Sequence, residues 1–296
     1  MKKIGFLLFK GIAFVNSITP FALLYLKSDF YFFILYYLAR YRRKVVRENL
    51  VSSFPEKPLA EIKRIERRFY HDFCDLFVEG CKLMRLKPDG LSNRVTFTNP
   101  EMIQMLYEKG RSVFCAMSHS GNWEWFNKLI GLCSAHKDIA IYKKMQNPYF
   151  DAFMLNLRLK FIEEGMEMVE SMDVKKKLAE VQDRRNLVLI LGDQSPRGVD
   201  SDYWTEFLHR DTCWYYGLEK MAKSLDYAVV FVEMNRVRRG HYSVTFRMIT
   251  ETPKQTEEGF ILEQYVRYIE RLIQNQPENW LWSHRRWKHS RQIKQA

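Results

Sequence analysis

His119 and Glu124 stand five residues apart in Met117-Ser118-His119-Ser120-Gly121-Asn122-Trp123-Glu124-Trp125, and together they have the makings of an acid–base pair. A neutral imidazole can take a proton from a hydroxyl, and a carboxylate can orient the ring and stabilise the imidazolium. In one continuous helix the two side chains would point roughly 140° apart, at about 100° per residue. They meet only if His119 lies in a turn and Glu124 on the first turn of the helix that follows, a bend Gly121 permits. The plain alternative is a chance spacing, so the other polar residues decide its weight.

Gly192-Asp193-Gln194 follows the apolar run 187–191, at the strand end where α/β sheets place ligands. Asp193 there can anchor a substrate amine or hydroxyl, pair with an arginine, or simply cap the next loop. Lys143 and Lys144 end another strand and Arg158 lies on the helix behind it, which suits phosphate groups or a solvated cationic patch. Near the carboxyl terminus, Trp280, Trp282 and Trp287 alternate with His284, Arg285, Arg286 and Lys288. Rings and cations in that order suit a membrane interface, a phosphorylated glycolipid, nucleic-acid stacking or the edge of a core. Metal-ligand spacing, phosphate-binding glycine loops and a G-x-S-x-G elbow are absent, so neither a metal nor a nucleotide cofactor is expected.

These residues need a scaffold, and the pattern supplies one. The runs 112–118, 138–142, 167–169, 187–191, 227–233 and 242–249 read as strands. Helical periodicity falls over 58–86, 100–109, 121–133, 148–163, 173–184, 212–225 and 261–273. Leu187-Val188-Leu189-Ile190-Leu191 is apolar on both faces, as a strand covered on both sides must be. The expected fold is α/β: a mixed, largely parallel central sheet flanked by helices on both faces, preceded by an N-terminal hydrophobic membrane-anchor helix.

The anchor is expected within Ile4–Leu26, interrupted by Lys10, Asn16-Ser17 and Thr19-Pro20 and followed by the aromatic run Phe30–Ala39. Arg40, Arg42, Arg43 and Lys44 come next, which would hold the body on the cytoplasmic side against anionic head groups. The division expected is 1–44 for the anchor and interfacial segment and 45–296 for the catalytic domain. A net charge of +12 over 296 residues calls for a polyanionic neighbour. Scarce glycine, the lack of an RNA-binding signature and basic clusters beside apolar stretches favour a membrane over nucleic acid. The five cysteines are odd in number and without C-x-x-C spacing, so they read as reduced, mostly buried thiols.

Taken together, the chain resembles the bacterial lipid A biosynthesis (lauroyl/myristoyl) late acyltransferases over nearly its whole length. The resemblance rests on the hydrophobic amino terminus, Val46-Arg47-Glu48-Asn49-Leu50 with Ser53-Phe54-Pro55-Glu56, the H-x-x-x-x-E of His119 and Glu124, Asp193-Gln194, and Trp282 through Lys288. It implies transfer of a fatty acyl chain from acyl carrier protein, or acyl-CoA, to a hydroxyl of a membrane glycolipid at the bacterial inner membrane, without a cofactor. His119 would be general base and Glu124 its support. Backbone N–H groups around Asn122 would serve as oxyanion donors, and Asn122, Lys143, Arg158, Asp193, Gln194, Arg285 and Arg286 are substrate-binding candidates. The chain departs from the family where Lys143 replaces an arginine and Ser195-Pro196-Arg197-Gly198 replaces D-Y-G after the D-Q pair. Both changes lie where head-group contacts are expected, which leaves the acceptor open among a lipid A precursor, another glycolipid and an amino-acid lipid. A hydrolase that uses water as acceptor, and a non-enzymatic lipid-binding adaptor, are the competing readings.

Overall fold

A computed structural model describes residues 2–86, 88–159, 166–182, 184–196 and 203–291. The amino-terminal apolar stretch forms two helices, α1 (Lys2–Ile18) and α2 (Phe21–Phe33), the latter continuing as a π-turn over Ile34–Leu38. The break falls at Thr19-Pro20, where proline cannot extend the preceding helix. Consequently, among the described residues, the stretch apolar and long enough to cross a membrane is Phe21–Leu38, not the expected Ile4–Leu26. After α3 (Arg43–Ser53), the long α4 (Leu59–Lys82) buries Ile62, Ile65, Phe69 and Val78 at helical spacing. Short α5 (Pro88–Ser92), β1 (Val95–Phe97) and α6 (Glu101–Glu108) lead into the main sheet.

From there strands and helices alternate: β2 (Val113–Met117), α7 (Trp123–Leu129), β3 (Lys137–Tyr142), α8 (Pro148–Leu159), β4 (Glu167–Glu170), α9 (Val174–Glu180) and β5 (Asn186–Leu191). The final elements are β6 (Tyr203–Phe207), β7 (Arg210–Trp214), α10 (Gly217–Leu225), β8 (Ala228–Arg238), β9 (His241–Thr250) and α11 (Phe260–Asn275). Seven strands form one sheet in the order β1-β9-β8-β2-β5-β3-β4, while β6 and β7 make a separate ribbon. All neighbours in the sheet are parallel except β8 and β9, joined by a hairpin through Gly240. The mixed, mostly parallel α/β sandwich is therefore the architecture.

Both faces are covered, as the double-sided apolar runs require. On one, Phe114, Ala116, Val188 and Ile190 pack with α4, α9, α10 and α11. On the other, Val113, Cys115, Met117 and Leu189 pack with α6 and α7. No disulfide joins the five cysteines, and all five are buried.

Two expectations differ in detail. The helix expected over 212–225 begins only at Gly217, because Arg210–Trp214 pairs with Tyr203–Phe207. Thr212, Cys213 and Trp214 are all buried, so local helical periodicity gave way to a strand packed under the sheet. Strand β8 runs five residues past Glu233 to Arg238, since β9 pairs with it along its whole length. Of the helices expected at 148–163 and 173–184, residues 160–163 and 183 lie outside the described set, as do Arg197 and Gly198.

Candidate functional site

The site is assembled by register. Strands β2 and β5 are parallel neighbours with Met117 opposite Leu191. Two residues beyond each, His119 and Asp193 face one another across the strand ends. Tyr265 of α11 ties those ends together, donating its hydroxyl hydrogen to the Met117 carbonyl (2.8 Å) while its oxygen accepts from the Gly192 N–H (3.0 Å). The loop after β2 is pinned by the carboxyl-terminal segment. Ser120 bridges Trp280, the Gly121 N–H donates to Asn279 Oδ1 at 3.1 Å, and the Leu281 N–H donates to the His119 carbonyl at 3.2 Å. Gly121 has φ +61°, and a Cβ there would stand 2.9 Å from Met234 Cγ. Glycine is therefore required for the bend.

Asp193 is 1% exposed and its carboxylate is fully engaged. Oδ2 accepts from the His119 N–H (2.8 Å) and from Trp280 Nε1 (2.8 Å), and Oδ1 faces His119 Nδ1 at 2.6 Å. Burial works against the charged carboxylate, but the facing imidazole and these hydrogen bonds outweigh it and hold Asp193 below its usual range. An ionised acceptor at Nδ1 selects the tautomer with the proton there, which leaves the Nε2 lone pair as the basic site. Gln194 Nε2 lies 3.3 Å from that nitrogen, and its amide N–H can only donate to a lone pair.

Glu124 is placed differently from the expectation. Its helix, α7, starts at Trp123, capped by the Asn122 side chain, which accepts from the Trp125 N–H at 3.1 Å. On that first turn Glu124 faces α8, where its carboxylate is gripped in a fork by Arg158, Nε to Oε2 at 3.0 Å and Nη2 to Oε1. The imidazole partner in the structure is thus Asp193, not Glu124. The fork raises Arg158 despite its burial. Lys128, one turn along α7 from Glu124, is pushed down to about 8 by burial, against the pull of that carboxylate.

Asn122 is buried, and its side-chain amide donates to Glu79 Oε2 at 2.8 Å, so it shapes the loop rather than offering a side-chain donor to a ligand. Glu79, fully enclosed, also accepts from Tyr25 (3.0 Å) and Tyr242 (2.8 Å). Lys143, Arg158 and Gln194 line a cavity of about 650 Å³ that reaches His119. Its wall between β3, β5 and α8 is largely apolar, with Ile141, Met154, Leu155, Met168 and Ile190. The size and apolar lining are those of a ligand cavity.

Arg285 is exposed, whereas Arg286 is buried against the Trp214 ring, 4.2 Å from its centroid. Burial lowers Arg286 to about 10, and its Nε and Nη2 have no hydrogen-bond partner. The terminal motif acts as a strap under the D-Q loop. His284 Nε2 accepts from the Ser195 N–H (3.1 Å), and Asn49 Nδ2 donates to the carbonyls of Trp282 (3.0 Å) and His284 (3.1 Å). Two residues of the site, Tyr265 and Glu79, escaped the sequence reading because each looks like an ordinary member of an amphipathic helix. The Asp193 pairing could have been inferred from the equal offset of His119 and Asp193 behind two buried strands. No cluster of three or more His, Cys, Asp or Glu side chains suited to a metal occurs among the described residues.

A family model described as bacterial lipid A biosynthesis acyltransferase matches residues 2–289. No curated protein matches the chain.

Proposed function

Because the chain belongs to the bacterial lipid A biosynthesis acyltransferases, we propose that it moves a fatty acyl chain from a thioester, carried by acyl carrier protein or CoA, to a hydroxyl of a lipid A precursor. The carrying observation is that His119, with Asp193 on Nδ1, opens onto a largely apolar cavity of about 650 Å³. The acyl chain fills that cavity with its carbonyl carbon near His119. His119 Nε2 takes the acceptor's hydroxyl proton as the oxygen attacks the carbonyl, and Asp193 stabilises the imidazolium. The tetrahedral oxyanion collapses, the C–S bond breaks, and the leaving thiolate takes the proton from His119. The Gln194 amide, 3.3 Å from the base nitrogen, supplies a hydrogen bond to the oxyanion.

In this reading Glu124 supports the site at one remove. It anchors Arg158, which with Lys143 lines the cavity mouth and meets the acidic carrier or its phosphopantetheine phosphate. The net charge of +12 serves the same docking and the anionic membrane, with no nucleic acid involved. Attachment would run through α1 and α2, which expose Leu7, Leu8, Ile12, Leu23, Leu26, Phe30 and Phe33. The inner face of α2 is tied to the body by Tyr25 to Glu79 (3.0 Å) and Asp29 to Arg239 (2.7 Å), and α1 by Lys82, which donates to the Ser17 carbonyl (2.9 Å). A helix held along one side in this way suits a hairpin lying in the cytoplasmic face of the inner membrane, with 45–296 as the catalytic body.

His119→Ala should abolish acyl transfer to a lipid A precursor while thermal unfolding and vesicle binding are unchanged. Turnover persisting in that variant would remove the general base from the scheme. Product formed with water alone, in the presence of the precursor, would favour a hydrolase.

A further inference from the structure

His119 is reached from two sides. The acyl cavity lies toward β5 and β3, whereas a second opening lies toward β8 and β9, on the other side of β2 in the sheet order. Near His119 this opening is a neck of about 10 Å³, room for roughly one water molecule. Asp72, Arg236, Glu278 and Asn279 line the neck and also line an outer cleft of about 320 Å³. The outer cleft adds Arg68, His71 and Arg238.

The charges there are unequally satisfied. Arg236 is held by Asp72 and Asp75, as befits a wall residue. Arg68 is 59% exposed and touches Glu278 only at 3.8 Å. Arg238 is exposed and has no carboxylate partner among the described residues. Two solvent-facing guanidiniums at one rim suit a phosphate better than any neutral group. The rim is also beside the amino-terminal hairpin: the His71 ring stacks on Phe32 of α2 at 3.6 Å, and Phe30 and Phe33 of the same helix are exposed.

Resting on the acyl-transfer reading of His119, we propose that this cleft seats the phosphorylated head group of the acceptor lipid. Its acyl chains stay in the bilayer beside α2, its phosphate binds Arg68 and Arg238, and its hydroxyl points down the neck to His119. Arg68 exchanges Glu278 for phosphate, which loosens the one side of the neck held by a long ion pair. Donor and acceptor thereby approach the base from opposite sides.

The test is equilibrium binding of a short-chain, doubly phosphorylated glucosamine-disaccharide lipid, and of its dephosphorylated counterpart, to the full chain. Arg68→Glu/Arg238→Glu should weaken the phosphorylated lipid by about tenfold or more, the loss of one to two charge-assisted contacts. It should leave the dephosphorylated lipid and the KM for the acyl donor unchanged. Lys143→Glu/Lys144→Glu should do the reverse, raising the donor KM and sparing lipid binding. Arg68→Gln/Arg238→Gln guards against repulsion by the new carboxylates, and melting curves confirm folding. Unchanged affinity in both arginine variants, equal losses for both lipids, or loss confined to the lysine variant would overturn the proposal. Binding needs no turnover, so the outcome stands apart from the His119→Ala result.

Discussion

Asp193→Asn separates the imidazole–aspartate pair from the pairing first expected with Glu124. The amide has one acceptor where the carboxylate has two, and three donors converge on this side chain at 2.6–2.8 Å. If the amide oxygen takes the Oδ2 place, it keeps the His119 N–H and Trp280 Nε1 bonds. The NH2 group then faces His119 Nδ1, which must accept, and the imidazole proton moves to Nε2. The basic lone pair is now on the wrong nitrogen. Turning the amide over restores Nδ1–H but sets an NH2 against two donors inside a site that is 1% exposed, at a cost of roughly 2–4 kcal/mol in lost charged hydrogen bonds. The first arrangement wins, and kcat should fall by about 10⁴-fold, as for the same exchange beside other catalytic histidines. Glu124→Gln leaves one bond of the Arg158 fork and does not touch the imidazole. Its effect should be within about tenfold on kcat, felt mainly as a higher donor KM. The assay is single-turnover transfer of a radiolabelled acyl chain to the precursor. An Asp193→Asn enzyme within tenfold of wild type, beside a Glu124→Gln enzyme that is dead, would refute the reasoning.

Three further outcomes follow from the packing. His284 is lowered to about 4, chiefly by burial, so the fold binds its proton less readily than the unfolded chain does. Its contribution is complete above about pH 6.5 and is lost as pH falls through about 4; urea midpoints at pH 7 and pH 5 should show a drop that His284→Asn flattens. Gly121→Ala puts a methyl group 2.9 Å from Met234 Cγ in a left-handed turn, and should cost about 1–3 kcal/mol in chemical denaturation while lowering kcat through the displaced His119 loop. Leu8→Asp/Leu26→Asp changes side chains that are 67% and 65% exposed, so vesicle co-sedimentation should fall with little change in melting temperature. Sedimentation equal to wild type would place membrane attachment elsewhere.

How much of this was legible in the sequence depends on the range of the interaction. Strand β5 was readable because Leu187–Ile190 must be covered on both faces whatever its neighbours are. Strand β7 was not. Its residues 212–214 sit on a helical period continuing into α10, and only pairing with β6 and burial under Phe207 and Trp287 makes them extended. The break between α1 and α2 was visible at Thr19-Pro20, but which side carries the longer apolar helix depends on Phe21–Leu38 continuing through a π-turn that no propensity marks.

The same distinction governs the site. His119 and Glu124 draw attention because they are close in the chain, yet closeness along the chain is what turns them apart: the cap at Asn122 fixes where α7 begins and aims Glu124 at Arg158. His119 and Asp193 are 74 residues apart in sequence and 2.6 Å apart in space, because two parallel strands end in register. A general base needs its partner held rigidly, and strand ends locked by Tyr265 and Trp280 do that better than the first turn of a short helix. In the proposed mechanism Glu124 is then free to organise the cavity wall through Arg158, and the two acids divide the labour, Asp193 on the imidazole and Glu124 on the arginine. That division carries its own check. Arg158→Met should disturb donor binding as Glu124→Gln does, and the double variant should be no worse than either alone, since both remove one interaction. Fully additive losses would mean that Glu124 acts on His119 after all.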